Sequence, residues 1–145
     1  MTIRISDDPA ELDRARIHRW ITEQSYWAKG REPEREDAAI DASWNFGAYD
    51  DDGTQVGFAR LVTDRATFAW LCDVFVDDSA RGRGVGKALM ARIVEELDAL
   101  GIPRTLLATA DAHGLYAQYG FDPLAQPERW MARYLPGTVA PHPSQ

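Results

Sequence analysis

The chain has 145 residues, with 45% hydrophobic and 10% aromatic side chains and a formal net charge of −7. That length bounds a single domain with room for a core, and the apolar share excludes a disordered chain. The acidic balance argues against broad nucleic-acid binding, no run approaches the ~20 apolar residues of a membrane helix, and the single Cys72 leaves neither an internal disulfide nor a cysteine-based metal site.

Thr2 to Ser6 alternates as a short strand would. The opening residues carry no apolar signal core, so the expected setting is the reducing cytoplasm. Asp8-Pro9 then reads as a helix start, with Asp8 at the cap, Pro9 in the first turn, and Ile17, Trp20, Ile21 and Gln24 along one face. Ser25 to Arg31 is aromatic and breaks the period, which predicts a loop or broken helix. A second short helix follows from about Pro33 to Ser43.

Trp44 to Tyr49 predicts a strand, Asp50 to Gly53 a turn, and Gln55 to Thr63 the returning strand. Thr67 to Val76 extends this into an antiparallel meander. From Val85 the residues Ala88, Leu89, Ile93, Leu97 and Leu100 form an apolar stripe that Gly101 and Pro103 terminate. Arg104 to Ala108 reads as a short strand. Asp111 is placed to cap a last helix carrying Ala112, Leu115, Tyr116 and Tyr119, which stops at Gly120. A final strand is expected around Trp130 to Tyr134. The domain should end near residue 135, leaving 136–145 as a flexible tail.

The informative order is strand, glycine-rich turn, long helix. A helix start exposes backbone N–H groups and a partial positive charge, and glycines let the backbone approach an anion closely. Gly82, Gly84 and Gly86 fall at every second residue, among Arg81, Arg83 and Lys87. Counting excludes two rival phosphate motifs. The dinucleotide fingerprint G-x-G-x-x-G fails because Gly86 follows Gly84 too soon. The Walker sequence fails because only three residues separate Gly82 from Gly86-Lys87, and Ala88 follows.

The remaining pattern, Arg/Gln-x-x-Gly-x-Gly/Ala, is matched by Arg81, Gly84 and Gly86. Here the chain resembles the GNAT superfamily of N-acetyltransferases. The segment Gly114 to Phe121 is similar to that family's second signature, a helix ending in Gly-Phe, and Ser25 to Gly30 resembles an uncharacterised branch. The resemblance implies an α+β fold in three layers, α/β/α. Its central sheet would be mixed and mostly antiparallel, with a splay between two central strands, flanked by about four helices. It also implies an acetyl-CoA-dependent N-acetyltransferase acting by direct attack in a ternary complex. The acceptor would be a small-molecule amine or a peptide. A protein N-terminus or lysine, or a non-catalytic acyl-CoA-binding regulator, are the alternatives, and a homodimer is compatible with all of them.

By the same resemblance the coenzyme would lie against Arg81, Gly82, Arg83, Gly84, Val85, Gly86 and Lys87, with Phe75 and Val76 pairing their backbone to its pantetheine arm. Many relatives carry an asparagine seven residues before the helical tyrosine; this chain has Thr109 there. Tyr116 occupies the position of the usual proton donor to the departing thiolate, a core tyrosine being the plainer account. An alkyl amine with a pKa near ~10 must also lose a proton. Asp73 is the first candidate base, because burying it among Trp70, Leu71, Cys72 and Val74 demands either a role or a partner; a structural role is equally open. His113 could serve instead, against a simpler surface or capping role, while His18 and His142 read as surface and tail. Three scattered histidines have no metal-ligand spacing, so no metal is expected. Trp20, Tyr26 and Trp27 are the candidate acceptor contacts, with an ordinary core role as the alternative.

Overall fold

The computed structural model describes residues 2–138. Its chain divides into two compact units, Met1–Leu107 and Ala108–Gln145. The first unit holds a five-stranded sheet in the order β1-β2-β3-β4-β5, formed by β1 (Arg4–Ser6), β2 (Trp44–Tyr49), β3 (Gln55–Thr63), β4 (Ala69–Val76) and β5 (Thr105–Leu106). The first four strands pair antiparallel and β5 joins β4 in parallel. A parallel neighbour needs a crossover. That crossover is the long helix α3 (Val85–Leu100).

Helices cover both faces of this sheet, so the expected three layers are present. On one face α3 buries Val85, Leu89, Met90, Ile93 and Leu97. Gly57 of β3 makes the close approach possible, since a Cβ there would meet Val85 Cγ1 at 2.7 Å. On the other face α1 (Arg14–His18), the six-residue π-helix Arg19–Gln24 and α2 (Pro33–Asp41) deliver Ile17, Trp20, Ile21 and Ile40 onto Phe58 and Phe75. Each such side chain contributes about 1.5–3 kcal/mol by leaving water. The stripe on α3 differs slightly from the expected one: Leu100 is exposed in the last turn, and Met90 takes a core position.

Several boundaries also differ. The expected first helix is split: Asp8 caps only a 3-10 turn, Pro9–Glu11, and Asp13 starts α1 by accepting a hydrogen bond from Arg16 N. Among its periodic residues Gln24 is exposed. In the second unit, α4 spans His113–Ala117. Asp111 does not cap it; the hydroxyl of Thr109 accepts from Ala112 N at 3.1 Å instead. Gly120 does end the turn, at φ +90°, and Phe121 N closes onto Tyr116 O at 3.2 Å. The expected last strand is absent among the described residues. The chain from Trp130 to Leu135 has no regular structure, and Met131 is 98% exposed. Aromatic content suggested a strand, but a strand requires a ladder partner, and none forms there. Most of the expected tail, with His142, lies outside the described residues.

Candidate active site

The glycine turn is built to stay open. Asp77 follows β4 and accepts from Ser79 N, starting a 3-10 turn, Asp78–Ala80. Gly82 and Gly84 then adopt φ +77° and +80°, a region that side chains rarely enter. A Cβ on either would meet nothing within 4 Å, so space lies beside the backbone. Gly84 is also the N-cap of α3, which has no side-chain cap and no acidic residue in its first turn. A helix N-terminus of this kind favours an anion. Arg81, 62% exposed, bridges to Asp78 at 3.1 Å, while its guanidinium lies 5.9 Å from the Phe75 ring centre. Arg83 and Lys87 are exposed beside it, and Gly86 sits in the first turn of the helix. The donor set therefore fits a pyrophosphate.

β4 leads into this turn, and among the described residues of the first unit its pairing with β5 is short. Within its unit β5 matches β4 only at Ala69 and Trp70, so along the rest of the strand the ladder runs on the β3 side. Phe75 and Val76 lie at the end of β4 beyond the pairs it forms with β5.

The same strand carries a bulge. Phe58 pairs with Phe75, but Arg60 pairs with Cys72, so β4 has one residue more than β3 across this interval. Asp73 absorbs it with φ +52°. In an unbroken strand Asp73 would share the α3 face with Leu71; the extra residue turns it toward Arg60. There its side chain is 1% exposed. Trp27 Nε1 donates to Asp73 Oδ1 at 2.8 Å, and Arg31 and Arg60 each donate to Oδ2 at 2.9 Å. Arg31 also donates to Glu36 Oε2 at 2.6 Å, on a carboxylate that is 0% exposed. Burial alone would push the Asp73 carboxyl up. Hydrogen bonds and charge from Arg31 and Arg60 outweigh it and hold the group below the usual carboxylate range. Burial likewise opposes the charge on Arg31, yet Asp73 and Glu36 raise its pKa further. Neighbouring Cys72 is pushed up to about 12, chiefly by burial, so it is no thiolate nucleophile at neutral pH.

The three candidate acceptor contacts divide. Trp20 is buried, stacks on Phe75 at 5.7 Å and donates its indole N–H to Asp77 at 3.0 Å, which places it in the core beneath the turn. Tyr26 and Trp27 are 44% and 37% exposed and meet edge to face at 4.9 Å. Asp73, Trp27, Phe75 and Trp20 are thus brought together in the first unit.

In the second unit Tyr116 is buried on α4, with its ring 6.1 Å from Phe121. Thr109 uses its hydroxyl oxygen to accept from Ala112 N just before that helix, and His113 is exposed at its start. Sequence reasoning missed Glu36 and Arg60. Both had a signal: Glu36 lies four residues before buried Ile40 on α2, and Arg60, two residues after buried Phe58, shares its face of β3.

Comparison with known proteins supplies the remaining findings. The acetyltransferase (GNAT) family profile matches residues 12–121. A crystal structure from Xanthomonas campestris pv. campestris, described as belonging to the GNAT family, is 47% identical and superposes with a TM-score of 0.88, covering 94% of this chain and 96% of that one. The ribosomal-protein-S18-alanine N-acetyltransferase of Escherichia coli, 21% identical, shares the fold with a TM-score of 0.68 over 86% of this chain and 80% of its own. Among curated relatives, a chloroplastic serotonin N-acetyltransferase of Oryza sativa subsp. japonica is 36% identical over 57% of this chain. A histone acetyltransferase of Glycine max is 36% identical over 50% of it. These two matches span only 42% and 31% of the relatives' own lengths.

Proposed function

The chain belongs to the acetyltransferase (GNAT) family, and we propose that it is an N-acetyltransferase that transfers the acetyl group of acetyl-CoA to a primary amine of a small molecule. Direct attack in a ternary complex is the step we assign. The observation that carries this reading is the turn from Arg81 to Gly86, an uncapped helix start with open space beside its glycines and no carboxylate in the first turn. Arg81, Gly82, Arg83, Gly84, Val85, Gly86 and Lys87 would hold the pyrophosphate, and the backbone of Phe75 and Val76 would meet the pantetheine arm. Thr109 would retain one hydroxyl contact there. When bound, the coenzyme supplies an activated acyl thioester. Tyr116 is assigned the proton delivered to the leaving thiolate, which its burial and phenol chemistry support. Of the two roles open to Asp73, the holding role is better supported: both of its oxygens already accept hydrogen bonds, and its carboxyl is held in the charged form.

An amine at a protein N-terminus or lysine is the second reading, favoured by the half-open position of Tyr26 and Trp27. Among the described residues no helix is long and apolar enough to cross a membrane, and a cytoplasmic setting accords with the unpaired Cys72. A thiol-release screen with acetyl-CoA against small amines and short peptides separates these readings. Release with a small amine supports the first, and release with peptides alone supports the second. Coenzyme binding without release for any acceptor would point to a regulator. Tyr116→Phe should lower kcat by about 100-fold or more while leaving coenzyme affinity near that of the parent. An unchanged kcat would remove Tyr116 from the chemistry.

A further inference from the structure

The loop that carries the exposed aromatic pair has little backbone structure of its own. The π-helix before it ends at Ser25, whose hydroxyl donates to Ile21 O and accepts from Ala28 N. Gly30 N returns to Thr22 O at 2.7 Å, and Arg31 N to Ala28 O at 3.1 Å. Ala28 points into the core, Tyr26 is exposed, and Trp27 is partly exposed with its indole N–H turned in toward Asp73. One carboxylate anchors Trp27, against which Tyr26 packs edge to face. Trp27 bonds one oxygen of Asp73, and Arg31, four residues later, bonds the other. Arg60, which also donates to Ser43 Oγ, ties Asp73 to β3, and Glu36 ties Arg31 to α2. Four segments therefore meet at a cluster of two cations and two anions.

We propose that Arg31 is a positioning residue that acts through Asp73. It latches the Ser25–Arg31 loop onto the β4 bulge and so sets where Tyr26 and Trp27 stand when an acceptor is recognised. The proposal rests on the acetyltransferase reading for its kinetic consequence, but the latch itself can be tested without turnover. An ion pair used only for stability would matter equally to every property of the enzyme. A latch on this loop matters to the acceptor first, because Arg31 and Asp73 hold the indole of Trp27, an acceptor contact, while the coenzyme side is reached from the loop only through the Trp27 ring against Phe75, at 6.5 Å.

The test uses the whole chain as Arg31→Met, Arg31→Lys and Asp73→Asn. Amide hydrogen exchange reads the latch directly. In Arg31→Met, Ala28 and Gly30 should exchange at least about tenfold faster while the amides of α3 keep the parent rates, and Arg31→Lys should recover part of the protection. For kinetics, the acceptor is the best small amine found in the thiol-release screen. Arg31→Met should raise its KM by about 10- to 100-fold, with kcat and the KM for acetyl-CoA within about threefold of the parent. Equal loop exchange in parent and Arg31→Met would overturn the latch. So would a fall in kcat with the acceptor KM unchanged, or a lysine variant no better than methionine. Asp73→Asn should loosen the same loop and keep the shape of the pH profile of kcat. Loss of one limb of that profile would make Asp73 a base and overturn its holding role. Failure of the parent to bind acetyl-CoA or to acetylate any amine would sink the proposed function, and loop exchange would still decide the latch.

Discussion

Two neighbouring regions of one sheet meet the problem of charge in opposite ways. At the β4 bulge two carboxylates are buried with two arginines, and the hydrogen bonds run between side chains. At the glycine turn the arginines are exposed, the glycines carry no side chain, and with Val85 turned into the core the backbone of a helix start provides the polar surface. At the bulge both oxygens of Asp73 are answered by side chains, and among the carboxylate oxygens of the cluster Glu36 Oε1 alone is buried without a hydrogen-bond partner. The turn has left a partial positive charge unanswered by any side-chain cap. A site for a mobile anion needs the second construction, and a rigid wall needs the first.

The largest expected effect comes from breaking the closed region. Arg60→Met leaves Asp73 with one cation fewer in a site from which water is excluded. Losing one partner of a buried pair costs about 3–5 kcal/mol, which urea unfolding would read as a lowered midpoint. A loss below about 1 kcal/mol would mean that Arg31 alone carries Asp73 and that the cluster is not cooperative. In the open region the corresponding change is Gly84→Glu. It places a side chain at φ +80° and a negative charge at the start of α3. Backbone strain there costs about 1–2 kcal/mol, so the fold should survive. Coenzyme affinity should fall at least about 100-fold by calorimetry, as charge and bulk both oppose a phosphate. Parent-like binding would withdraw the turn as the pyrophosphate site.

The contrast explains what the sequence could reveal. The turn was legible because its chemistry is local: three glycines, a helix stripe and a preceding strand lie within one continuous segment. β2 and β3 were read with the observed bounds for the same reason, since alternation and the Asp50–Gly53 turn are nearest-neighbour signals. The cluster around Asp73 was not legible as a cluster. Its members come from the 25–31 loop, α2, β3 and β4, and only tertiary packing brings them together. The bulge is also invisible in one strand alone, because an extra residue exists only relative to the partner strand. Trp130 to Tyr134 shows the reverse error: a strand-like composition was read as a strand without asking what would pair with it.

Acidification should separate the regions again, with a definite sign. The Asp73 carboxyl is held below its usual range in the folded state. Its stabilisation is therefore fully present above the unfolded value near ~4 and is lost as pH falls through the folded value. Thermal midpoints of the parent should drop on that side, and Asp73→Asn, starting lower, should drop less steeply. Parallel curves would show that Asp73 keeps its proton affinity on folding and would contradict the depressed value. No such loss is expected on the alkaline side from this group, because it is already ionised there.

The smallest stability effect should come from Arg81→Ala. Arg81 is mostly exposed, and so is its partner Asp78, so their ion pair contributes at most about 1 kcal/mol. A shift of that size in the unfolding midpoint is close to the error of the measurement. The same arginine stands beside an uncapped helix start, where a phosphate would compete with exposed Asp78 for its charge. Coenzyme affinity should therefore fall by about tenfold at low salt, and the difference between parent and variant should shrink as salt screens exposed charges. A side chain that matters to the fold would show the opposite ranking, with stability lost and salt of little consequence. Arg81 and Arg60 would then have exchanged places, and the division between an open anion site and a closed wall would no longer hold.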